Sequence, residues 1–380
     1  MSKLEWMLKV PQGEFVLHRL PHCPNELLRA FDAADEYLLE YIAQQGAVGK
    51  DSRLLLLNDS FGALAVALSD LNPYAMSDSY LSQQATRLNL LANAKDEQSV
   101  TFLNSLALHS GFYDIVLIKA PKTLALLEDQ LIRLRPHLNA STQIVLAGML
   151  KNMPSSVWQL VDRLIGPTLP SKAQKKARLI FAKPDLLRPV IKNPYPVCYT
   201  LENTAYRIVN HANVFSRDRL DIGTRFFLQH LPSQTHAGVI IDLGCGNGVV
   251  GLIAAERNPN AIVHFIDESF MAVASAEQNF RNAFGEERVA YFQIGDGLLE
   301  FASASADLIL CNPPFHQQHA IGDQVAQIMF RESRRVLRRG GELWVIGNRH
   351  LDYHLTLKRW FGKVAIVAAN AKFVIFKAVN

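Results

Sequence analysis

Val239-Ile240-Ile241-Asp242-Leu243-Gly244-Cys245-Gly246-Asn247-Gly248-Val249 is the stretch on which the fold turns. Val239 to Ile241 are β-branched and apolar, the composition of a buried strand. Three glycines at alternate positions follow, and Val249 to Ala255 then carry the apolar spacing of a helix. Strand, glycine turn and helix make the opening of a βαβ unit. Downstream come Asn258-Pro259 and a strand, Ile262 to Ile266, that closes on Asp267-Glu268-Ser269. A helical stretch then ends near Gln278-Asn279. Further strands are expected at Ala290 to Ile294 and at Asp307 to Cys311. The latter stops at Asn312-Pro313-Pro314-Phe315 and is followed by a helix, Ala326 to Leu337, and a strand, Leu343 to Ile346.

The same landmarks occur in the same order in the first half. Leu54-Leu55-Leu56-Leu57-Asn58-Asp59-Ser60-Phe61-Gly62 precedes a helical pattern, Ala63 to Leu68. Asn72-Pro73, Ser77-Asp78-Ser79 and a helical stretch ending near Arg87-Leu88-Asn89 come next. Asp114-Ile115-Val116-Leu117-Ile118-Lys119-Ala120-Pro121-Lys122 stands where the second copy has Asp307 to Phe315. Leu124 to Leu138 and Ile144 to Ala147 complete the parallel. The chain is therefore expected to be α/β, with two tandem doubly wound Rossmann-like domains built on parallel sheets. Pro184, Pro189, Pro194 and Pro196 mark the boundary. The expected division is 1–185 for the first domain, 186–196 for the linker and 197–380 for the second domain, which begins with a short extended segment, Val197 to Ile208.

Composition narrows the class. The chain has 380 residues, 49% hydrophobic and 19% charged, enough to bury two large cores. No run reaches the roughly 18 apolar residues that span a bilayer, and Met1 to Gln12 lack a basic-then-apolar leader pattern. The four cysteines, Cys23, Cys198, Cys245 and Cys311, share no C-x-x-C spacing. Neither a metal site nor a redox pair is expected, and scattered thiols fit the cytoplasm. A net charge of +4 permits a polyanionic partner without requiring one.

Glycines at a strand-to-helix turn let the backbone approach a ligand, and the helix N-terminus favours negative groups. Gly244, Gly246, Asn247 and Gly248 are therefore candidate nucleoside-cofactor contacts. Asp267, at the end of the next strand, can accept both hydroxyls of a ribose. The pattern is shared with the dinucleotide fingerprint. However, the third glycine of G-x-G-x-x-G falls on Val249, and Asp242 supplies an acid suited to the cationic methionine end of S-adenosyl-L-methionine. Asp296, after Ala290 to Ile294, is placed either to accept from the adenine amine or to cap a following helix.

Two prolines end the Asp307–Cys311 strand and stiffen the turn, presenting Asn312 beside the crevice. An exocyclic amine is a poor nucleophile because its lone pair is delocalised into the ring. If the Asn312 side-chain oxygen and the Pro313 carbonyl accept its two hydrogens, the lone pair is freed to meet a methyl carbon. This is catalysis by positioning and electrostatics. Pro314 completes the turn, and Phe315 offers a plane on which an extruded base can stack. Adenine N6, guanine N2 and a protein glutamine amide are all acceptors that such a turn can serve.

These motifs, with His211-Ala212-Asn213-Val214-Phe215-Ser216-Arg217 and Leu220-Asp221-Ile222-Gly223-Thr224-Arg225, resemble those of the ribosomal RNA guanine-N2 methyltransferases with a duplicated methyltransferase fold. In the first half, Ala34-Asp35-Glu36-Tyr37-Leu38-Leu39 and Leu57 to Leu64 carry the likeness as well. The run His316-Gln317-Gln318-His319 is similar to the large-subunit branch, whereas the small-subunit (16S) branch departs after His316. The resemblance implies methylation of a guanosine 2-amino group in 23S rRNA, on protein-free RNA, by a monomer. It also implies that the segment from Phe215 to Thr224 covers the pocket, with Phe215 and Asp221 as cofactor-side residues. Asp221 is equally suited to cap the helix after it.

The first copy is degenerate. One glycine replaces three, Phe61 is bulky, and Lys119 offers donors where an acceptor is needed. A lysine can instead neutralise a phosphate, so Lys119, Lys122, Lys172, Lys175, Lys176 and Arg178 are candidate RNA contacts. Arg331, Arg334, Arg335, Arg338 and Arg339 are expected on one helix, the last two favoured in its final turn by the helix dipole. His316 and His319 flank the catalytic turn without a metal-ligand set. Cys245 and Cys311 read as small strand-end residues. A non-catalytic RNA-binding protein is the rival from another class, and the intact second-copy motifs argue against it.

Overall fold

The computed structural model describes residues 6–22, 28–45, 49, 51–107, 110–233, 236–314 and 319–380, with only the backbone of 319–323. The chain divides into two compact units, Met1–Pro194 and Tyr195–Asn380. The first contains β1 (Met7–Val10), β2 (Gly13–Val16), α1 (Ala33–Gln44), β3 (Leu54–Leu57), α2 (Ala63–Ala67), β4 (Tyr74–Ser77) and α3 (Tyr80–Ala92). It continues with β5 (Thr101–Asn104), β6 (Ile115–Lys119), α4 (Leu124–Leu134), β7 (Gln143–Met149), α5 (Ser155–Leu164), β8 (Thr168–Pro170) and β9 (Ala177–Ala182).

The second unit contains β10 (Val197–Thr200), β11 (Arg207–Asn210), α6 (Ile222–His230), β12 (Val239–Leu243), α7 (Val249–Arg257), β13 (Ile262–Asp267) and α8 (Phe270–Phe284). Then come β14 (Ala290–Ile294), β15 (Ala306–Cys311), α9 (His319–Val336), β16 (Leu337–Asn348), α10 (Tyr353–Trp360), β17 (Lys363–Ala369) and β18 (Phe373–Val379).

Each unit holds one seven-stranded sheet, and the two orders correspond: β5-β4-β3-β6-β7-β9-β8 and β14-β13-β12-β15-β16-β18-β17. Five strands in each pair in parallel, and the sixth in order, β9 or β18, pairs antiparallel with both its neighbours, so the sheets are mixed rather than wholly parallel. Strands covered on both faces must be apolar throughout. In β3, Leu54 and Leu56 enter one core and Leu55 and Leu57 the opposite one, all four buried. In β12, Ile240 and Ile241 divide in the same way. Each such leucine or isoleucine contributes roughly 2 kcal/mol through burial.

The stretch Val197 to Ile208, expected to be simply extended, is a two-stranded antiparallel hairpin, β10–β11. The first unit has its own, β1–β2. An asparagine at the same point of the equivalent helix, α3 or α8, ties down the hairpin segment in each unit. The Asn279 Nδ2 donates to the carbonyls of Val209 and Asn247 (both 2.9 Å), and its Oδ1 accepts from the Val209 amide at 2.7 Å. Asn89, at the matching point of α3, donates to the carbonyls of His18 and Phe61 and accepts from the His18 amide. The helix expected to carry Arg338 and Arg339 ends at Val336, and both residues lie in β16. The helix dipole is therefore not what holds them. Arg338 instead pairs with Asp307 at 2.7 Å.

Asn279 is 1% exposed, so its removal strands two carbonyls and an amide in the interior. Asn279→Ala is expected to destabilise the second unit by about 2 to 4 kcal/mol, measured as a lowered urea midpoint.

Candidate active site

The register of β12 sets Leu243 opposite Ile266 of β13 and Cys311 of β15. The chain leaves β12 toward β13 on one side and returns to β15 on the other, which is the switch point where α/β sheets bind ligands. The glycine turn and Asn312 therefore open side by side.

Gly244, Gly246 and Gly248 have φ of 71°, 55° and 77°, left-handed values that side chains resist. Their further demands differ. A Cβ on Gly248 would lie 2.7 Å from the Ala276 Cβ, so this glycine also lets α7 close on α8. A Cβ on Gly246 would meet nothing within 4 Å. Asp267 holds the turn: its Oδ2 accepts from the Gly246 amide at 2.9 Å, and its Oδ1 accepts from the Ser269 amide at 3.0 Å.

Asp242 is 2% exposed and accepts from the Gly251 amide at 2.7 Å. Burial, reinforced by the nearby Asp267 charge against the Gly251 bond, pushes its carboxyl up to about 8. Asn247 does not turn its side chain to the crevice. Its Nδ2 donates to Asn210 Oδ1 (2.8 Å) and Tyr199 Oη (3.2 Å), tying the glycine turn to the hairpin. Asp296 is half-buried, and its carboxyl is raised by burial and by Glu332. No α-helix follows it before β15, so the capping alternative is not realised. Phe215 lies exposed in the segment before α6.

Asp221 is the N-cap of α6, its Oδ2 accepting from the Thr224 amide at 2.8 Å. Thr224 was not singled out from the sequence, yet its Oγ1 accepts from Asn312 Nδ2 at 3.0 Å. Asn312 Oδ1 is buried and, among the described residues, has no hydrogen-bond partner. Pro313 is buried and Pro314 exposed. Phe315, His316, Gln317 and Gln318 lie outside the described residues, as does the His319 side chain. Burial pushes the Cys245 and Cys311 thiols up, away from nucleophilic use.

In the first unit Asn58 (φ 64°) and Gly62 (φ 83°) keep the shape of the turn. Phe61 sits partly buried beneath the Arg19 guanidinium, 4.6 Å from the ring centre. Asp59 accepts from the amides of Gly62, Leu64 and Ala65, and burial raises its carboxyl to about 6. Lys119 is withdrawn as an RNA contact. It stands at the position of Asn312, and its ammonium is bound to Asp32 (3.0 Å) and Asp35 (2.6 Å) away from solvent. Arg178 is half-buried with its guanidinium over Trp158, and Lys175 pairs with Glu36 at 2.7 Å. Lys122, Lys172 and Lys176 are exposed. Among the described residues no cluster of His, Cys, Asp or Glu could hold a metal ion, and no helix is long and apolar enough to cross a membrane.

A family model described as the RLMG N-terminal domain matches residues 6–186, and one described as the methyltransferase small domain matches residues 205–377. The ribosomal RNA large subunit methyltransferase G of Ectopseudomonas mendocina is 50% identical over 369 residues, 97% of this chain and 98% of that one. That of Streptomyces griseus is 46% identical over 376 residues, 97% and 98%. The chain belongs to the ribosomal RNA large subunit methyltransferase G family. A solved T. thermophilus 16S rRNA N2 methyltransferase, in complex with AdoMet and guanosine, superimposes over 100% of both chains with a TM-score of 0.77 at 18% identity. That likeness shows the shared tandem fold. As a member of the methyltransferase G family, the chain is an S-adenosylmethionine-dependent methyltransferase. Its second unit fits that cofactor, with open backbone at Gly246, an acidic residue closing β13 and a buried carboxyl in β12. The first unit does not fit it, because Asn58, Ser60 and Phe61 replace Gly244, Gly246 and Asn247.

Asp242 gives the ligand-free protein a pH signature. The unfolded carboxyl ionises near 4, whereas the folded one keeps its proton to about 8. The native state thus binds more protons, and stability falls as pH rises between those values. Asp59 acts in the same direction up to about 6. Asp242→Asn is expected to flatten the decline between pH 6 and 8 in denaturant titrations and, between about 4 and 6, to leave only the share due to Asp59.

Proposed function

We propose that the enzyme methylates the exocyclic 2-amino group of one guanosine in 23S rRNA, acting on protein-free RNA. The observation that carries this reading is the lone acceptor at Asn312. Its Nδ2 is committed to Thr224, while its Oδ1 is buried and has no partner among the described residues. A buried acceptor left unpaired costs about 1 to 3 kcal/mol, and a target amine would supply the missing donor.

S-adenosylmethionine supplies a sulfonium methyl, and the amine nitrogen that takes it gives up one proton. Asn312 Oδ1 accepts one amine hydrogen and the Pro313 carbonyl the other, drawing the nitrogen toward tetrahedral geometry and aiming its lone pair. Gly244, Gly246 and Gly248 let the backbone approach the cofactor, Asp267 receives its ribose hydroxyls, and Asp296 takes the adenine amine. Asp242 faces the methionine end. Asn247 acts through its backbone, since its side chain serves the hairpin. Phe215 serves the cofactor side of the pocket, and the base-stacking role is assigned to Phe315 on the sequence motif alone. The 23S assignment rests on the names borne by relatives near 50% identity, and the guanine N2 assignment on the resemblance of the whole motif set to guanine-N2 methyltransferases and on the tandem fold shared with the solved 16S rRNA N2 methyltransferase.

The first unit is proposed to bind RNA through Lys122, Lys172, Lys175 and Lys176. Support comes from the tip of the β8–β9 loop. Lys175 (φ 47°) and Lys176 (φ 65°) both occupy the left-handed region between Gln174 and Ala177, whose backbones bond each other at 2.7 and 2.9 Å. Such a turn favours Asn-Gly, and two lysines there are strained.

Tritiated cofactor with protein-free large-subunit RNA, small-subunit RNA and DNA, followed by nucleoside analysis, tests the substrate. The expected result is label in N2-methylguanosine from large-subunit RNA alone. Asn312→Ala is expected to lower methyl transfer about 100-fold or more with RNA binding retained, and unaffected activity would refute the amine-acceptor role. Lys175→Asn with Lys176→Gly is expected to raise stability by about 0.5 to 2 kcal/mol. The same pair is expected to reduce the salt dependence of RNA binding by about one to two units of slope, one for each phosphate no longer neutralised. An unchanged slope would dismiss the loop as an RNA contact.

A further inference from the structure

A carboxamide can present either its oxygen or its NH2 group to the crevice, because the two ends are nearly the same size. Only the oxygen can accept from an amine. Something must therefore fix which end faces the target, and in this chain the contacts of Thr224 do so. Thr224 Oγ1 lies 3.3 Å from Asp221 Oδ2 and donates to it. That oxygen already accepts from the Thr224 amide at 2.8 Å, as an N-cap carboxylate does. With its hydrogen given to Asp221, the hydroxyl has only lone pairs left for Asn312. It receives Nδ2 at 3.0 Å, and Oδ1 becomes the buried end, with no partner among the described residues.

We infer that Thr224 is a positioning residue that sets the polarity of the Asn312 carboxamide through a one-way hydrogen-bond chain anchored on Asp221. The inference rests on the amine-acceptor reading of Asn312. Two independent observations support it. Gly223 leaves room for the anchor, since a Cβ there would stand 3.0 Å from Asp221 Oδ2 and 3.1 Å from the Phe373 ring. The first unit repeats the geometry with different chemistry. Asp32 caps α1 as Asp221 caps α6, Asp35 stands three residues on as Thr224 does, and Asp35 Oδ1 receives the Lys119 Nζ at the position of Asn312. In both units an acceptor in the first turn of the helix takes an N–H from the residue that ends the strand. Only the hydroxyl in the second unit leaves a neutral carboxamide with its oxygen turned outward.

The test uses the full-length enzyme in single-turnover methyl transfer to protein-free large-subunit rRNA, with separate measurement of cofactor and RNA affinity. Thr224→Val keeps the shape and removes the hydroxyl. It is expected to lower the rate constant about 10- to 100-fold, the range for losing a residue that orients a reacting group, with both dissociation constants within about twofold of the parent. Thr224→Ser is expected to restore most of the rate. In Asn312→Ala, adding Thr224→Val is expected to cost little more, since no carboxamide remains to orient. An unchanged rate in Thr224→Val overturns the inference, as does a Thr224→Ser variant as slow as Thr224→Val, which would indicate methyl packing. Should Thr224→Val not fold, Asp221→Gly keeps a tolerated N-cap residue and removes the acceptor of the Thr224 hydroxyl. A lowered rate constant with unchanged affinities then supports the chain, and a parental rate refutes it. Full activity in Asn312→Ala would refute the underlying reading, an outcome distinct from failure at Thr224 alone.

Discussion

The parallel register of β12 and β15, with Leu243 opposite Cys311, is the constraint on which the site depends. It makes both strands end at the same level of the sheet. The turn after one is all backbone and small residues, and the turn after the other is stiffened by two prolines. A crevice with a pliant cofactor side and a rigid acceptor side follows from that single alignment. Apolar side chains secure it on both faces, since Ile240 and Leu308 enter one core and Ile241 and Ile309 the other. A slip of one residue would exchange the faces of every side chain in the strand, so burial fixes the register and the register fixes the site.

The duplicated unit shows how chemistry is removed while architecture is kept. In the second unit the amide of Gly251, inside α7, is bonded by a carboxylate from the strand, Asp242. In the first unit the matching amide, Ala65, is bonded by Asp59 from the turn itself. The need to satisfy a helix N-terminus persists, but its source has moved from below the turn into it. Asn89 and Asn279 show the opposite behaviour, with the same residue type at the same helical position making the same three kinds of bond. What the two units share is what both must do, which is hold a hairpin and stay folded.

Much of this was legible in the sequence because the signals are local. The run from Val239 to Gly248 and the double proline at 313–314 specify their conformations through neighbouring residues, and the repeat gave each reading a second witness. What escaped depends on distant partners. The hairpins β1–β2 and β10–β11 are too short for periodicity to mark, although Asn89 and Asn279 stood at equivalent places in the repeat. Asn247, inside the glycine motif, turned out to serve the hairpin. Lys119 read as a phosphate contact because its carboxylate partners, Asp32 and Asp35, lie 87 and 84 residues away. Arg338 and Arg339 read as helical until pairing with β15 drew their segment into the sheet. Thr224 lay within a quoted motif, but only the fold brings it to Asn312.

The ion cluster of Lys119, Asp32 and Asp35 is hard to change one residue at a time. A buried charge stripped of its partner costs about 3 to 5 kcal/mol, a large share of what holds a domain together. An asparagine at 119 alone would leave the buried Asp35 carboxylate without its cation, beside the half-exposed Asp32. Neutralising Asp35 alone would weaken the hold on the lysine while keeping the wrong group at the strand end. The three positions in the first copy thus form a charged set whose members depend on one another, whereas the second copy keeps a single carboxylate there, Asp221, beside a neutral hydroxyl and a neutral carboxamide.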